Sequence, residues 1–259
     1  MALTTALITG ASSGIGYEIS KILAAQGHDI VLVARRKDNL RQLAAFLERE
    51  HDIQATIVAE DLSQPGAPQR IYDILKRKNI PVDILVNNAG IGVWGPFPAN
   101  DCQRELDVIQ LNVAALTHLT RLFAVDMVKR GLGKILNIAS VSGFVPGPYM
   151  AVYHGTKAFV VSFSESLRSE LKGTGVSVTV VCPGPTASEF HHSAGTVDLR
   201  VLRHLTMHTS AQVARTAVKA MQKRKAIEIP GLLNKLLVFL PRLLPRSWVR
   251  FIAKMLLKP

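Results

Sequence analysis

Thr9-Gly10-Ala11-Ser12-Ser13-Gly14-Ile15-Gly16 follows an apolar run at the N-terminus and opens a helical pattern. Glycine lets the backbone turn tightly and approach a bound group closely, and the free N–H groups of a helix N-terminus favour anions. A glycine-rich turn between a strand and a helix is the context of a dinucleotide fingerprint, here spaced Gly-x-x-x-Gly-x-Gly. The stretch therefore predicts an α/β fold that binds a pyrophosphate at the N-terminus of its first helix.

The rest of the chain alternates short apolar runs with helical patterns. The apolar runs are rich in Val, Ile and Leu without polar alternation, which indicates strands buried on both faces of a parallel sheet. The predicted strands are Leu3–Thr9, Asp29–Ala34, Ile53–Ala59, Ile84–Asn87, Lys134–Ala139, Val176–Cys182 and Ala226–Ile229, and the clearest helices are Ile15–Gln26, Asp38–Glu50 and Ala67–Lys78. This order predicts a single-domain, Rossmann-type doubly wound parallel sheet with helices on both faces.

The composition fits one folded domain. The chain has 259 residues, 48% hydrophobic and 19% charged, which allows a large core but not two full α/β domains. Two cysteines, Cys102 and Cys182, do not indicate a disulfide framework, and no metal site is predicted. We find no signal peptide and no apolar stretch long enough to span a bilayer, so we expect a cytoplasmic protein.

Tyr153 and Lys157 lie four residues apart in a helical pattern. This spacing places a phenol and an ammonium on one helix face, within reach of one bound molecule. A nearby cation favours the phenolate and lowers the pKa of a tyrosine, which suits it to proton transfer near neutral pH. The pair predicts an acid–base site.

These features resemble the motifs of the short-chain dehydrogenase/reductase family, and the match runs from about Ala2 to Glu228. Three motifs of the family are present in the expected order, as Thr9–Gly16, Asn87–Gly90 and Pro183-Gly184. The four catalytic positions of the family match Asn112, Ser140, Tyr153 and Lys157. The resemblance implies an enzyme that interconverts a carbonyl and a secondary alcohol, with a nicotinamide supplying the hydride.

The resemblance also implies a role for each catalytic residue. Tyr153 would protonate the carbonyl oxygen during reduction, and Ser140 would hydrogen-bond that oxygen. Lys157 would bind the nicotinamide ribose and lower the pKa of Tyr153. Asn112 would help to hold a proton-relay water near the lysine, and its alternative is a buried helix amide bonded locally. Ser140 follows the fifth predicted strand and Asn88 the fourth, at the edge where open α/β sheets bind ligands.

Two arginines after the second strand indicate the cofactor. NAD-specific relatives carry an acid at the position of Arg35, whereas an arginine there accommodates the 2′-phosphate of NADP(H). The alternative to a cofactor contact is that Arg35 and Arg36 form an exposed basic turn. For Asp61, which follows the third strand, the alternative is an acid that caps a turn. The predicted cofactor contacts are Gly10, Ser12, Ser13, Gly14, Ile15, Gly16, Arg35, Arg36, Asp61, Leu62, Asn88, Ala89, Gly90, Tyr153, Lys157, Pro183, Gly184, Thr186 and Ser188.

Two details depart from the family pattern. The family often has Pro-Gly-x-x-x-Thr, whereas here Ser188 takes the place of the threonine and Thr186 competes for the same contact with the nicotinamide amide. Gly155 follows the catalytic tyrosine by two residues, although glycine weakens a helix interior by roughly 1 kcal/mol. We expect Gly155 to admit the close approach of a neighbouring backbone.

Two segments fall outside this pattern. Residues 189–209 lack periodicity and carry four of the eight histidines, which predicts a mobile loop over the site that enters a helix capped by Ser210. We take residues 1–230 as the catalytic domain and 231–259 as a basic amphipathic extension with a helix beginning near Pro245 or Arg246. Six of the basic residues behind the net charge of +12 lie between Ile229 and Pro259, where there is no acid.

The extension leaves three alternatives open, which are peripheral contact with a membrane, a lid over the substrate pocket and an oligomer contact. Binding to nucleic acid is not predicted, because no known motif accompanies the charge. The leading hypothesis is an NADP(H)-dependent oxidoreductase acting on a small hydrophobic carbonyl or alcohol, such as a ketone, a 3-oxoacyl or a steroid-like compound, as a homodimer or homotetramer. The alternatives are a non-catalytic NADP-binding scaffold or redox sensor, and a peripheral membrane protein on the same fold.

Overall fold

The core of the protein is a seven-stranded parallel sheet, seen in a computed structural model that describes residues 4–196 and 207–258. Its strands are β1 (Thr5–Thr9), β2 (Asp29–Ala34), β3 (Ala55–Ala59), β4 (Ile84–Asn87), β5 (Gly133–Ile138), β6 (Val176–Val181) and β9 (Ile227–Glu228); β7 (Thr186–Ala187) and β8 (His208–Thr209) form a separate pair. All residues of β1, β4 and β6 are buried, as their unbroken apolar runs predict. The seven predicted strands are confirmed, with ends that differ by at most two residues.

The sheet reverses its direction of growth between β1 and β4. The strand order is β3-β2-β1-β4-β5-β6-β9, so the chain adds β2 and β3 on one side of β1 and the later strands on the other. The register pairs Ala6 with Ile84 and Ile8 with Val86. Open α/β sheets bind ligands outside the carboxyl ends of their strands at such a reversal. The fold therefore sets the location of the site before any side chain is considered.

Helices cover both faces of the sheet. They are α1 (Gly14–Ala24), α2 (Lys37–Glu50), α3 (Ala67–Arg77), α4 (Cys102–Ile109), α5 (Leu116–Arg130), α6 (Ala151–Glu170), α7 (Phe190–Ala194), α8 (Ser210–Gln222), α9 (Leu232–Phe239) and α10 (Arg246–Leu257). Successive β1 residues point to opposite faces: Ile8 packs in one core cluster with α1, α2 and α8, and Leu7 in another with α3 and α5. The predicted doubly wound architecture is confirmed.

One helical stretch, Cys102–Arg130, contains a feature that the sequence did not predict. Between α4 and α5 the residues Gln110–Ala115 form a π-helix, a local distortion that is frequent at functional sites. By length and apolar composition the whole stretch could cross a membrane, which the sequence analysis did not find. Core helices of folded domains pass the same test, and Leu119, Phe123 and Met127 are buried against the sheet.

The segment 189–209 contains regular structure in its described parts, which its lack of periodicity did not predict. Phe190–Ala194 is helical, and His208–Thr209 pairs with Thr186–Ala187, while residues 197–206, which include His204, lie outside the described residues. The predicted cap is wrong by one residue, because Thr209 and not Ser210 closes a capping box with Gln212. Ser210 is the first residue of α8, and its hydroxyl donates to the carbonyl of Ala187. The mobility of this segment stays a prediction.

The extension forms two helices joined by a 3₁₀ turn at Leu240–Arg242. The predicted start of its last helix near Arg246 is confirmed. The helix α9 was not predicted, because its apolar residues do not fall on one face: Leu232, Leu233 and Leu236 are exposed, and only Asn234 and Val238 are buried.

The role predicted for Gly155 is wrong. A Cβ built on Gly155 would meet no atom within 4 Å, so no backbone approaches it. The close approach lies instead at Gly147, where a Cβ would lie 2.1 Å from Cδ2 of the buried His154. Gly147 therefore makes room for the side chain that follows Tyr153.

This contrast generates a stability prediction. Gly155→Ala adds a methyl group in open space within a helix, so we expect the free energy of unfolding to rise by roughly 0.5–1 kcal/mol. Gly147→Ala, the matched variant, should instead lower it, because its Cβ would clash with the imidazole ring of His154. Urea unfolding followed by circular dichroism measures both, and a loss of stability in Gly155→Ala would contradict the open environment of that helix position.

Candidate active site

A cavity of about 830 Å³ opens at the carboxyl edge of the sheet, at the reversal between β1 and β4. This volume lies within the range of ligand sites, roughly 300–1,000 Å³. Its lining includes nearly all of the predicted cofactor and catalytic residues; Gly16 and Asn112 stand just behind the lining. Among residues 4–196 and 207–258, no group of three or more His, Cys, Asp and Glu side chains is placed to hold a metal ion.

The glycine-rich turn leaves the N-terminus of α1 open. Gly10 and Gly14 adopt φ angles of +66° and +60°, a region that glycine enters without strain. A Cβ at Gly10 would lie 2.8 Å from Nδ2 of Asn88, so the turn packs directly on the end of β4. Ser13 provides no side-chain cap to α1, and the first turn carries no acid. The free N–H groups of this helix therefore face the cavity as a site suited to an anion.

Thr9 fastens the end of β1 to the end of β4. Its hydroxyl donates to the carbonyl of Val86 over 3.2 Å and accepts from the backbone N–H groups of Asn88 (2.9 Å) and Ala89 (3.0 Å). The amide of Asn88 donates back to the carbonyls of Thr9 and Gly10. Asn88 therefore positions the glycine turn through its side chain, and Thr9 is a positioning residue that sequence reasoning did not single out.

The two arginines after β2 differ in their contacts. Arg36 Nη2 donates to the hydroxyls of Ser12 and Ser13 and lies 2.7 Å from the carboxylate of Glu189. Arg35 is 70% exposed, and its nearest carboxylate in the described chain is that of Asp61, at 3.9 Å. Arg35 lines the cavity and is placed to receive a ligand, whereas Arg36 braces the turn.

Asp61 and Leu62 form the wall opposite this turn. Asp61 accepts hydrogen bonds from the backbone N–H and the hydroxyl of Ser63, as expected of a turn acid. Leu62 is buried beside it, and both residues line the cavity.

Tyr153 and Lys157 project from α6 into the same cavity as Ser140. Ser140 caps a 3₁₀ turn that spans Val141–Phe144, where its hydroxyl accepts from the N–H of Ser142 over 3.1 Å. Lys157 Nζ lies 5.7 Å from the centroid of the Tyr153 ring and donates to the carbonyl of Ile138 over 3.1 Å. The i, i+4 spacing thus brings the phenol and the ammonium to one site, as predicted.

The predicted lowering of the Tyr153 pKa is wrong for this geometry. Burial raises the pKa of Tyr153 to about 12, and a hydrogen bond with the Ser140 side chain opposes the rise. Burial also lowers the pKa of Lys157 to about 8, opposed by the neighbouring Cys182. Phe190, whose ring centroid is 5.2 Å from that of Tyr153, contributes to this apolar surrounding. The sequence showed the pair of residues but not their burial, which is the largest cause of both pKa shifts.

Asn112 sits in the π-helical turn and is fully engaged by protein groups. Its Oδ1 accepts from the N–H of Ile91 over 3.0 Å, and its Nδ2 donates to the carbonyl of Ile91 and to the hydroxyl of Thr156. The side chain is therefore bonded to groups of two other segments, and its role in holding a relay water stays a prediction. Asn112 therefore holds the loop after β4 against α6, at Thr156, the residue before Lys157.

His154 is a positioning residue that sequence reasoning missed. Its imidazole is buried, and Nδ1 lies 2.9 Å from the carbonyl of Val145. Burial lowers the pKa of His154, so the ring is neutral at pH 7 and Nδ1–H can donate to that carbonyl. The bond ties α6, beside Tyr153, to the loop that follows Ser140. The signal in the sequence was Gly147, which admits the ring.

The Pro183-Gly184 turn is covered by the extension. A Cβ at Gly184 would lie 2.3 Å from Oδ1 of Asn234, a buried residue of α9. Thr186 donates to the carbonyl of Gly184 over 2.9 Å, and Ser188 to that of Thr186 over 3.3 Å. Both hydroxyls line the cavity, so the competition between them for one ligand contact stays open.

The extension also closes one side of the cavity. Four apolar residues of α9 and α10 line it, namely Leu237, Ala253, Leu256 and Leu257. Trp94 Nε1 donates to the carbonyl of Leu257 over 2.9 Å, which fixes the end of α10 to the loop after β4. The extension is therefore part of the site wall.

Known proteins resemble this chain in sequence and fold. A family model described as short chain dehydrogenase matches residues 4–197. Ketoacyl reductase HetN of Nostoc is 34% identical over 230 residues, which cover 87% of this chain and 77% of that protein. A short-chain dehydrogenase from Sphingobium yanoikuyae in complex with NADPH superposes with a TM-score of 0.83 at 36% identity over 89% of both chains. The bulky-bulky ketone specific alcohol dehydrogenase from Comamonas testosteroni superposes with a TM-score of 0.79 at 33% identity over 91% of both chains. The chain therefore belongs to the short-chain dehydrogenase/reductase family and is an oxidoreductase of that family.

Proposed function

We propose that the protein is an NADP(H)-dependent oxidoreductase that reduces the carbonyl group of a hydrophobic substrate. The observation that carries this proposal is the convergence of Tyr153, Ser140 and Lys157 in one cavity with the open N-terminus of α1. A non-catalytic NADP-binding scaffold is the second candidate. It is disfavoured because such a protein has no need to bury a phenol and a lysine together.

The residues present fit NADP(H). The glycine turn leaves room for a pyrophosphate against uncapped N–H groups, and the exposed guanidinium of Arg35 suits a 2′-phosphate. The NADPH complex of the Sphingobium yanoikuyae relative supports the same choice. When bound, the nicotinamide supplies the hydride, and the protein supplies position and proton transfer.

Tyr153 is the proton donor of the proposed reduction. A phenol with a pKa of about 12 keeps its proton at neutral pH and can donate it to a carbonyl oxygen. Ser140, which bonds with Tyr153, is placed to orient that oxygen. Lys157, which donates to the carbonyl of Ile138, would contact the ribose and stabilise the phenolate that remains after proton donation.

The walls of the cavity support an apolar substrate. Met150, Phe190, Leu237 and Leu256 line the side beyond Tyr153. The names of the Nostoc ketoacyl reductase and the Comamonas testosteroni bulky-ketone enzyme agree with a ketone or 3-oxoacyl compound. A cytoplasmic location, a homodimer or homotetramer, and residues 1–230 as the catalytic domain remain predictions.

Tyr153→Phe tests the proton donor. The variant keeps the ring and loses only the hydroxyl, so we expect turnover to fall by about 10²–10⁴-fold while NADPH binding persists. Tyr149→Phe, a tyrosine outside the cavity lining, is the matched control and should keep normal turnover. Steady-state NADPH oxidation with a panel of ketones and acyl thioesters measures turnover, and fluorescence titration measures NADPH binding. Turnover of Tyr153→Phe near that of the unmodified enzyme would place the acid elsewhere.

Arg35→Ala and Arg36→Ala test the two arginines separately. Loss of a charge-assisted contact with the 2′-phosphate should raise the Kd of NADPH by roughly 10–100-fold in Arg35→Ala and leave that of NADH unchanged. Arg36→Ala removes the brace of Ser12 and Ser13, so both cofactors should bind more weakly. The exposed Arg41→Ala is the control. Tighter binding of NADH than of NADPH by the unmodified protein would refute the assignment.

The buried Lys157 predicts a pH dependence of stability in the protein without ligands. Its pKa falls from 10.5 to about 8 on folding, so between these pH values the unfolded chain binds more protons than the folded protein. The unfolding free energy of the wild type minus that of Lys157→Met should therefore rise with pH in this window, by up to about 1.4 kcal/mol per unit, and stay constant below pH 8. Denaturant melts at several pH values measure it, with the exposed Lys172→Met as control. A difference that stays flat from pH 8 to 10.5 would argue against a buried, destabilised ammonium.

A further inference from the structure

The two helices of the extension form a surface that we call the C-terminal cover, Leu232–Leu257. Thirteen of the twenty large apolar side chains that are exposed in the described chain lie within it. A monomeric protein in water rarely exposes so many apolar side chains together, and such patches mark sites of interaction. The cover therefore has a function beyond closing the cavity.

The inner side of the cover is fixed to the catalytic domain. In α10 an i, i+4 row, made of Val249, Ala253 and Leu257, faces inward, and its last two members line the cavity. In α9 the inward pair is Asn234 and Val238, with Asn234 against Gly184. The inner side of the cover therefore acts as the lid that was one of the alternatives for the extension, and the outer side has no part in it.

The outer side of the cover is apolar and aromatic. Trp248 is 63% and Phe251 66% exposed, and Ile252 and Met255 extend the same side of α10. Tryptophan and phenylalanine on one side of an interfacial helix, with Lys and Arg on its polar side, are typical of helices that lie in the headgroup region of a membrane. The sequence alternatives are therefore not exclusive, because the inner and outer sides of one segment serve two purposes.

The charge of the cover selects an anionic partner. A second i, i+4 row along α10 is basic and exposed. It consists of Arg246, Arg250 and Lys254 and continues to Lys258, just beyond the end of the helix. In the described residues none of the four lies within salt-bridge distance of a carboxylate. Lys235, a basic residue of α9, does form a salt bridge, with Glu228. A second copy of the chain would bring the same basic rows together in a two-fold contact, which like charges oppose. A lipid surface with negative headgroups complements them.

We propose that the outer side of the C-terminal cover docks on an anionic lipid bilayer, so that the hydrophobic ketone enters the cavity from the lipid phase beside α10. Leu256 carries the argument for entry, since it is 50% exposed and also lines the cavity. The docking part rests on the cover alone, and the entry part rests on the proposed reductase function. Long Lys and Arg side chains can reach headgroup phosphates while the apolar residues lie deeper.

Sedimentation with vesicles tests the docking. The probes are vesicles of phosphatidylcholine alone and of phosphatidylcholine with about 30% phosphatidylglycerol. Each is used at about 20 and 300 mM salt, because salt screens the attraction between exposed charges, over about 10 Å at 0.1 M. Anionic vesicles should retain the protein at low salt. Phe251→Ser with Met255→Ser, and separately Arg250→Glu with Lys254→Glu, should each lower retention at least tenfold. Phe97→Ser with Leu132→Ser, two exposed apolar residues outside the cover, is the matched control and should sediment like the unmodified protein.

Two substrates separate docking from catalysis. Turnover of a water-soluble short-chain ketone should be unchanged in Phe251→Ser with Met255→Ser, whereas turnover of a long-chain ketone dissolved in the vesicles should fall about tenfold. If the unmodified protein reduces no ketone but still sediments, the proposed function fails and the docking stands. No retention on anionic vesicles at low salt, or concentration-dependent dimers in light scattering that the same double variant abolishes, would overturn the docking and assign this side to a second copy.

Discussion

The hydroxyl of Thr9 holds together the two strand ends on which the site is built. It accepts from two successive backbone N–H groups after β4 and donates to a carbonyl within β4, so the carboxyl ends of β1 and β4 cannot separate. Because the sheet grows in opposite directions from these two strands, a crevice lies outside their carboxyl ends. The glycine turn and the loop after β4 meet across it.

The other parts of the site are attached to this junction through buried side chains. Asn112 connects the loop after β4 to the helix that carries Tyr153 and Lys157, and His154 connects that helix to the loop after β5. Each bond joins two segments that both face the cavity. The side chains of Tyr153 and Lys157 are therefore oriented by residues whose own hydrogen bonds are made to protein groups, and such support keeps a site within the tolerance that catalysis needs.

The sequence predicted those features that depend on local pattern. Unbroken apolar runs identified the strands, glycine spacing identified the turn, and i, i+4 spacing paired Tyr153 with Lys157. Features that depend on the surroundings were missed or wrong. The pKa of Tyr153 follows from burial by side chains such as Phe190, which lies 37 positions along the chain. The close approach expected at Gly155 occurs at Gly147, and α9 has no apolar periodicity because its exposed residues are apolar too.

The positions of the two tryptophans allow the C-terminal cover to be followed by intrinsic fluorescence. The chain has only two, and they lie on the two sides of the cover. The indole of Trp94 is half-buried and bonded to the carbonyl of Leu257, whereas that of Trp248 is largely exposed to solvent. Emission from Trp94 depends on whether α10 is seated on the domain, and emission from Trp248 on the polarity outside it. Single-tryptophan forms of the protein therefore resolve the seating of this helix and the nature of its outer environment as two separate fluorescence signals.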